Sequence, residues 1–225
     1  RFCHRTLGVG SDGIAILEKL DDSDADFSCR IVNPDGSEAG FSGNGTRCAA
    51  AYAYFKNLWN EANLRLKTKS GIKNYRLVEE MSKGHYWFDA EIGKPKFASD
   101  EIPFASETKL DAVTNYQLLI TNHLFEVSCV NVGNPVACVF VNNFDFDWRE
   151  VGRKMEVHEK FPARVNVVFV KILDRENIEL KIWERGAGET SASGTCSSGA
   201  AILSAFRGET GRKVSVHTEG GITEI

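Results

Sequence analysis

The sequence predicts an α+β fold in two pseudo-symmetric halves, and two observations carry that prediction. The first is a duplicated turn. Ser42-Gly43-Asn44-Gly45-Thr46-Arg47-Cys48-Ala49-Ala50 and Ser193-Gly194-Thr195-Cys196-Ser197-Ser198-Gly199-Ala200-Ala201 each set a serine before a run of small residues. The serines lie 151 residues apart (193 minus 42). At that offset Gly43 falls on Gly194, Ala49 and Ala50 on Ala200 and Ala201, Phe55 on Phe206, and Glu38 on Glu189. The second is element order: strand patterns surround one small-residue helix in each half, with no low-complexity linker between them. The first half is expected to span residues 1–102 plus a C-terminal strand at about 218–225, and the second residues 103–217. A ligand cleft between such halves lets two related side chains address opposite faces of one carbon.

Ile14 to Leu17 and Phe27 to Val32 read as strands. The second alternates and ends in Asn33-Pro34-Asp35-Gly36, a turn signal. Gly45 to Leu58 is rich in alanine and aromatic residues without polar alternation, the pattern of a helix buried on most sides. Leu64 to Lys69, followed by Ser70-Gly71, then Tyr75 to Glu79 and Tyr86 to Ile92, continue as strands and turns. The pattern pauses around Ala98 to Pro103. Leu118 to Ile120, Leu124 to Val130 and Ala137 to Val141 resume it, and Asp147 to Glu156 reads as an exposed helix. Asn166 to Ile172 and Ile178 to Trp183 are strands again. The second serine turn then opens a helix over Cys196 to Phe206. Val214 to His217 and Ile222 to Ile225 close as strands around Gly220-Gly221.

Bulk composition narrows the function classes. The chain has 225 residues, 42% hydrophobic and 26% charged, with a net charge of −4. Acids and bases are interspersed, which excludes the clustered basic face of a nucleic-acid binder. No apolar run has the length of a membrane span. The chain starts at Arg1, so it reads as a fragment. Six cysteines are scattered without a C-x-x-C pair or zinc spacing. That usage suits free thiols in a reducing compartment, hence a cytoplasmic, metal-free protein.

Two motifs have bland readings. Gly8-Val9-Gly10-Ser11-Asp12-Gly13 fits G-x-G-x-x-G, but a strand and no helix follows it, so it reads as a glycine-rich loop before a strand and not as a dinucleotide site. Gly40-Phe41-Ser42-Gly43-Asn44 misses the nucleophile elbow by its last residue, and no partner histidine stands out. The serine turns themselves suit an anion site. A helix start offers free N–H groups and a partial positive charge, and glycine allows close approach. Ser42 or Ser193 alone would read as a plain N-cap; as a pair at one offset they read as functional. Glu184-Arg185, in the loop before the second serine, suit the ammonium and carboxylate of a zwitterion. Asn33, Asn134 and Asn166 lie at strand ends or turns, where asparagine ordinarily serves the turn; converging, they would offer neutral hydrogen bonds to an amino acid.

Six segments together resemble diaminopimelate epimerase, of the cofactor-independent amino-acid racemase superfamily. They are Gly8 to Gly13, Asn33 to Glu38, Gly43 to Cys48, Gly133-Asn134-Pro135, Arg164 to Val167 and Glu184 to Thr190. The resemblance implies two pseudo-symmetric halves, each a barrel-like, mostly antiparallel sheet around a central buried helix. It implies an isomerase of lysine and peptidoglycan-precursor biosynthesis that interconverts LL- and meso-diaminopimelate without pyridoxal phosphate or other cofactor, by proton transfer between two cysteines. It also implies a small amino-acid substrate and leaves a homodimer open. A family-typical N-terminal segment is absent, which agrees with truncation. Carried over by position, Ser42 and Ser193 stand where the catalytic cysteines belong. Glu184 is the candidate base for one of them. Asn33, Gly43, Asn44, Asn134, Asn166, Glu184, Arg185, Gly194 and Thr195 match substrate-binding positions. The histidine expected after Gly-Asn-Pro is Val136, and neither Cys48 nor Cys196 is expected to replace the lost pair. Serine is a far weaker acid than cysteine and needs an adjacent base. The serines therefore leave three options open: substitutions introduced to trap substrate, a relative such as a lyase or isomerase using one base, or a catalytically silent amino-acid binder.

Overall fold

The computed structural model describes residues 1–21, 24–91 and 93–225. Ile92, the end of the expected strand Tyr86 to Ile92, lies outside the described residues. The chain divides into two compact units, residues 1–93 and 94–225.

The first unit holds β1 (Ile14–Lys19), β2 (Phe27–Val32), β3 (Glu38–Ala39), α1 (Gly43–Phe55), β4 (Asn63–Thr68), β5 (Gly71–Ser82) and β6 (His85–Glu91). Its sheet runs β1-β2-β4-β5-β6, with β3 beside β2. Every pairing is antiparallel except β2 with β4. Alternation in β2 sends Phe27, Cys29 and Ile31 inward, and β4 adds Leu64 and Leu66. These pack on Ala49, Ala50, Ala53 and Tyr54 of α1. The helix touches both terminal strands of the sheet, β1 and β6, so the sheet curls around it. α1 is less enclosed than its composition suggests. It buries one face and leaves Arg47, Cys48, Tyr52 and Phe55 exposed.

The second unit holds β7 (Tyr116–Ile120), β8 (His123–Asn131), β9 (Pro135–Phe140), α2 (Trp148–Glu156), β10 (Asn166–Ile172), β11 (Asn177–Glu184), β12 (Gly188–Thr190), α3 (Gly194–Phe206), β13 (Ser215–Thr218) and β14 (Gly221–Glu224). Its sheet runs β14-β13-β11-β10-β9-β8-β7, with β12 beside β11. The β9–β10 and β11–β13 pairs are parallel and the rest antiparallel. Strands β9 and β10 are apolar almost throughout, as strands covered on both faces must be. α3 is buried along most of its length. α2, expected to be exposed, is amphipathic: Trp148, Val151 and Met155 join the core of this unit, and Asp147 caps its start by accepting from Glu150 N at 3.0 Å.

The internal repeat is topological as well as sequential. The series β1-β2-β3-α1-β4-β5 recurs as β10-β11-β12-α3-β13-β14. In each, an antiparallel pair carries a short strand on its second member, followed by a helix, a parallel neighbour and a closing antiparallel strand. Helices α1 and α3 both have 13 residues and begin and end at the 151-residue offset. The division differs from the expected one at residue 102. Lys96 bridges to Asn131, and Ile102 and Phe104 enter the core of the second unit, so that unit begins at Lys94. The C-terminal hairpin also belongs there, since β14 pairs with β13.

Candidate active site

The two serine turns have nearly the same backbone. Ser42 caps α1 at φ −137°, ψ 115°, and Ser193 caps α3 at φ −150°, ψ 120°. Ser42 O accepts from Thr46 N at 2.9 Å, and Ser193 O from Ser197 N at 2.9 Å. Each next residue, Gly43 and Gly194, faces open space: a Cβ there would have no neighbour within 4 Å. Each turn therefore leaves a helix start open to a ligand, with N–H groups that helices leave unpaired. Gly45 is more crowded, since a Cβ there would lie 2.8 Å from Ile31 Cδ1 and displace that side chain's end.

The side chains then part. Ser42 Oγ accepts from Gly45 N at 3.1 Å and so acts as a helix cap. Ser193 Oγ makes no cap bond and donates to Glu184 Oε2 at 2.9 Å. The other oxygen of that carboxylate accepts from Thr190 Oγ1 at 2.9 Å. Strand register explains the meeting: Glu184 ends β11, Thr190 ends β12, and the two strands pair antiparallel. Ser193 is buried, so its charged hydrogen bond is shielded from water.

At the 151-residue offset the counterpart of Glu184 is Asn33, the residue directly after β2. The sequence alignment of Glu38 with Glu189 is real but serves neither serine. Glu38 pairs with Arg30 at 3.5 Å, and Glu189 takes the Arg149 guanidinium at 2.6 and 2.7 Å. The informative pair stands nine residues before each serine. Sequence reasoning named both Asn33 and Glu184 without setting them against each other; applying the offset to strand ends would have done so.

Arg185, Asn134 and Asn166 come together. Arg185 N donates to Asn166 Oδ1 at 3.0 Å, and its guanidinium donates to Asn134 Oδ1 at 3.1 Å and Ala163 O at 3.0 Å. Partial burial lowers the Arg185 pKa, opposed by Glu156; arginine remains a cation. Asn166 is 1% exposed and spends its Nδ2 on Pro135 O at 2.7 Å. It therefore orients Arg185, where the sequence suggested a direct ligand contact. Asn33 donates to Ser37 Oγ at 3.0 Å, and Asn44 Oδ1 accepts from Arg47, so both are engaged within their own loops. Thr195 is buried in the first turn of α3.

Cys196, in the first turn of α3, is not primed as a base. Burial, aided by the charge of Glu184, pushes the buried Cys196 thiol well above its usual range. Val136 is fully buried, its carbons 3.1–3.2 Å from where a Cβ on Gly199 of α3 would lie. Hydrocarbon thus fills the position after Gly133-Asn134-Pro135. The glycines at 8–13 lead into β1 with no helix following, as a loop before a strand.

Residues 1–97 and 128–225 match the sequence model of diaminopimelate epimerase. This chain belongs to the diaminopimelate epimerase family. That is a family of isomerases, and relatives named diaminopimelate epimerase agree along the chain. The protein of Methanocaldococcus jannaschii is 37% identical over 240 residues, covering 100% of this chain and 80% of the relative. That of Pelotomaculum thermopropionicum is 36% identical over 222 residues, covering 98% and 78%. That of Methanococcus maripaludis strain S2 is 35% identical over 218 residues, covering 96% and 77%. Among solved structures, a hydroxyproline epimerase from Agrobacterium vitis has the same fold, with a TM-score of 0.73 at 16% identity over 98% of this chain and 68% of its own. A Bacillus anthracis protein of the PhzF family shares it at a TM-score of 0.63 and 16% identity, over 96% and 75%. Sheet-dominated units with few helices are thus a fold this chain shares with these two proteins. Among the described residues, no helix is long and apolar enough to cross a membrane.

Proposed function

We propose that this chain is a diaminopimelate epimerase that interconverts the LL and meso forms without pyridoxal phosphate, using a serine pair whose two members are unequal. The observation that carries this reading is the Ser193–Glu184–Thr190 network beside Arg185. In the proposed step Ser193 Oγ takes the α-proton as its own proton passes to Glu184. The products are a neutral serine, a protonated Glu184 and a carbanion stabilised by N–H groups at a helix start. Arg185 holds a substrate carboxylate by charged hydrogen bonds. Ser42 has the part of a proton donor: its Oγ gives up its proton, the alkoxide is held by the Gly45 N–H and regains a proton from water, and Glu184 returns its proton to water.

The deciding experiment is proton NMR of LL-diaminopimelate with the protein in D₂O. Loss of the α-proton signal with appearance of the meso form is the expected result. Arg185→Ala should abolish binding of the substrate by calorimetry, and unchanged affinity would remove Arg185 from the site. A second reading, an amino-acid binder without turnover, is favoured by the commitment of Ser42 Oγ to its helix cap. Under that reading the α-proton signal persists at saturating ligand.

A further inference from the structure

Glu156 ends α2 with its side chain buried, and it has no part in the site described above. A carboxylate there faces the negative end of the helix dipole, and burying a charge is costly unless it is hydrogen-bonded. Three donors meet it. Trp183 Nε1 donates to Oε2 at 2.8 Å, Gly186 N to Oε1 at 3.0 Å, and Arg164 Nη1 approaches Oε1 at 3.4 Å. Two of those donors flank the Glu184-Arg185 pair, Trp183 before it and Gly186 after it. One carboxylate therefore clamps both ends of the dipeptide that carries the site's acid and its guanidinium.

The surrounding packing closes the same clamp. Gly152, one turn earlier on α2, lies so close to Trp183 that a Cβ there would stand 3.0 Å from the Trp183 Cβ. Gly186 has φ +75°, a backbone angle that side chains other than glycine rarely adopt, and in it its N–H meets the carboxylate. Asn166 fixes the intervening Arg185 N–H.

We propose that Glu156 is a positioning residue, which sets the Trp183–Gly186 segment so that Arg185 and Glu184 meet the amino acid in fixed geometry. The proposal rests on the reading of Arg185 as the carboxylate grip. Its test is calorimetric titration of the chain with meso-diaminopimelate, paired with thermal unfolding, for Glu156→Gln, Met155→Ala and Arg185→Ala. Glutamine keeps the size of Glu156 but turns an N–H₂ toward one of the donors, which releases one end of the clamp. Glu156→Gln should weaken binding about tenfold, the effect of losing one charged hydrogen bond. In amide NMR it should also shift the Gly186 and Trp183 indole signals without ligand. Met155→Ala leaves a void in the same turn and should lower Tm with affinity unchanged. Equal weakening by Met155→Ala would reduce Glu156 to a general stability role and overturn the proposal. So would unchanged affinity of Glu156→Gln while Arg185→Ala abolishes binding. Unchanged affinity in Arg185→Ala removes the ligand reading itself, and this proposal with it. If Glu156→Gln does not fold, Trp183→Phe, which removes the indole donor together with part of the ring packed beside Gly188, should still weaken binding, and affinity equal to the parent would overturn the proposal.

Discussion

Ser42 and Ser193 occupy equivalent turns with nearly equal backbone angles, yet one hydroxyl serves its helix and the other serves a carboxylate. The turn repeats and the chemistry does not. The residue nine positions before each serine differs as well. It is an amide in Asn33 and an acid in Glu184. A duplicated fold supplies two helix starts suited to an anion, and in the second a carboxylate accepts from the serine hydroxyl.

The largest expected effect tests that base. Glu184→Gln keeps the shape of the Thr190 and Ser193 contacts and removes the proton acceptor. It should slow α-proton exchange in D₂O by about 10²-fold or more, in the range of a lost general base. Exchange at the parent rate would remove the asymmetry of the two turns. A smaller effect sharpens the same comparison. In a double-mutant cycle on unfolding free energy, Ser193→Ala and Glu184→Gln should couple by about 1–2 kcal/mol, whereas Ser42→Ala and Glu184→Gln should add within about 0.5 kcal/mol. Ser42→Ala by itself should destabilise the protein by about 1 kcal/mol, the ordinary cost of an N-cap, read from chemical denaturation.

The smallest effect concerns acid sensitivity in the first unit. Burial raises the pKa of Asp26, but hydrogen bonds from the Arg65 side chain and backbone N–H outweigh it and hold the carboxyl below 3.8. A depressed carboxyl pKa contributes stability above the unfolded value. That contribution is lost as pH falls through the folded value. Asp26→Asn should therefore flatten the loss of Tm as pH falls below about 4. An unchanged acid limb would mean that other carboxylates control it.

Much of this was legible in the sequence because the offset of 151 aligns elements, not only motifs. Both helices, the alternating strand β2 and the serine turns follow from periodicity and small-residue composition. The strands β3 and β12 escaped because two or three residues carry no readable period. α2 was read as solvent-facing because its charged residues hide an apolar stripe of Trp148, Val151 and Met155. The partition of the chain was misplaced because Ile102 and Phe104 enter the second core from a segment without a strand pattern. Around Arg185 the bonding was not legible. Asn166 looked like a ligand contact and holds a backbone, while Glu156 gave no motif at all.

The equal nine-residue interval from strand end to serine has an evolutionary consequence. A residue gained or lost in either loop would break the interval that the two turns share, and the side chain at its start holds each loop, Asn33 through Ser37 and Glu184 through Thr190 and Ser193. Asparagine and aspartate codons differ by a single nucleotide. One point mutation at Asn33 would therefore place a carboxylate at the position equivalent to Glu184.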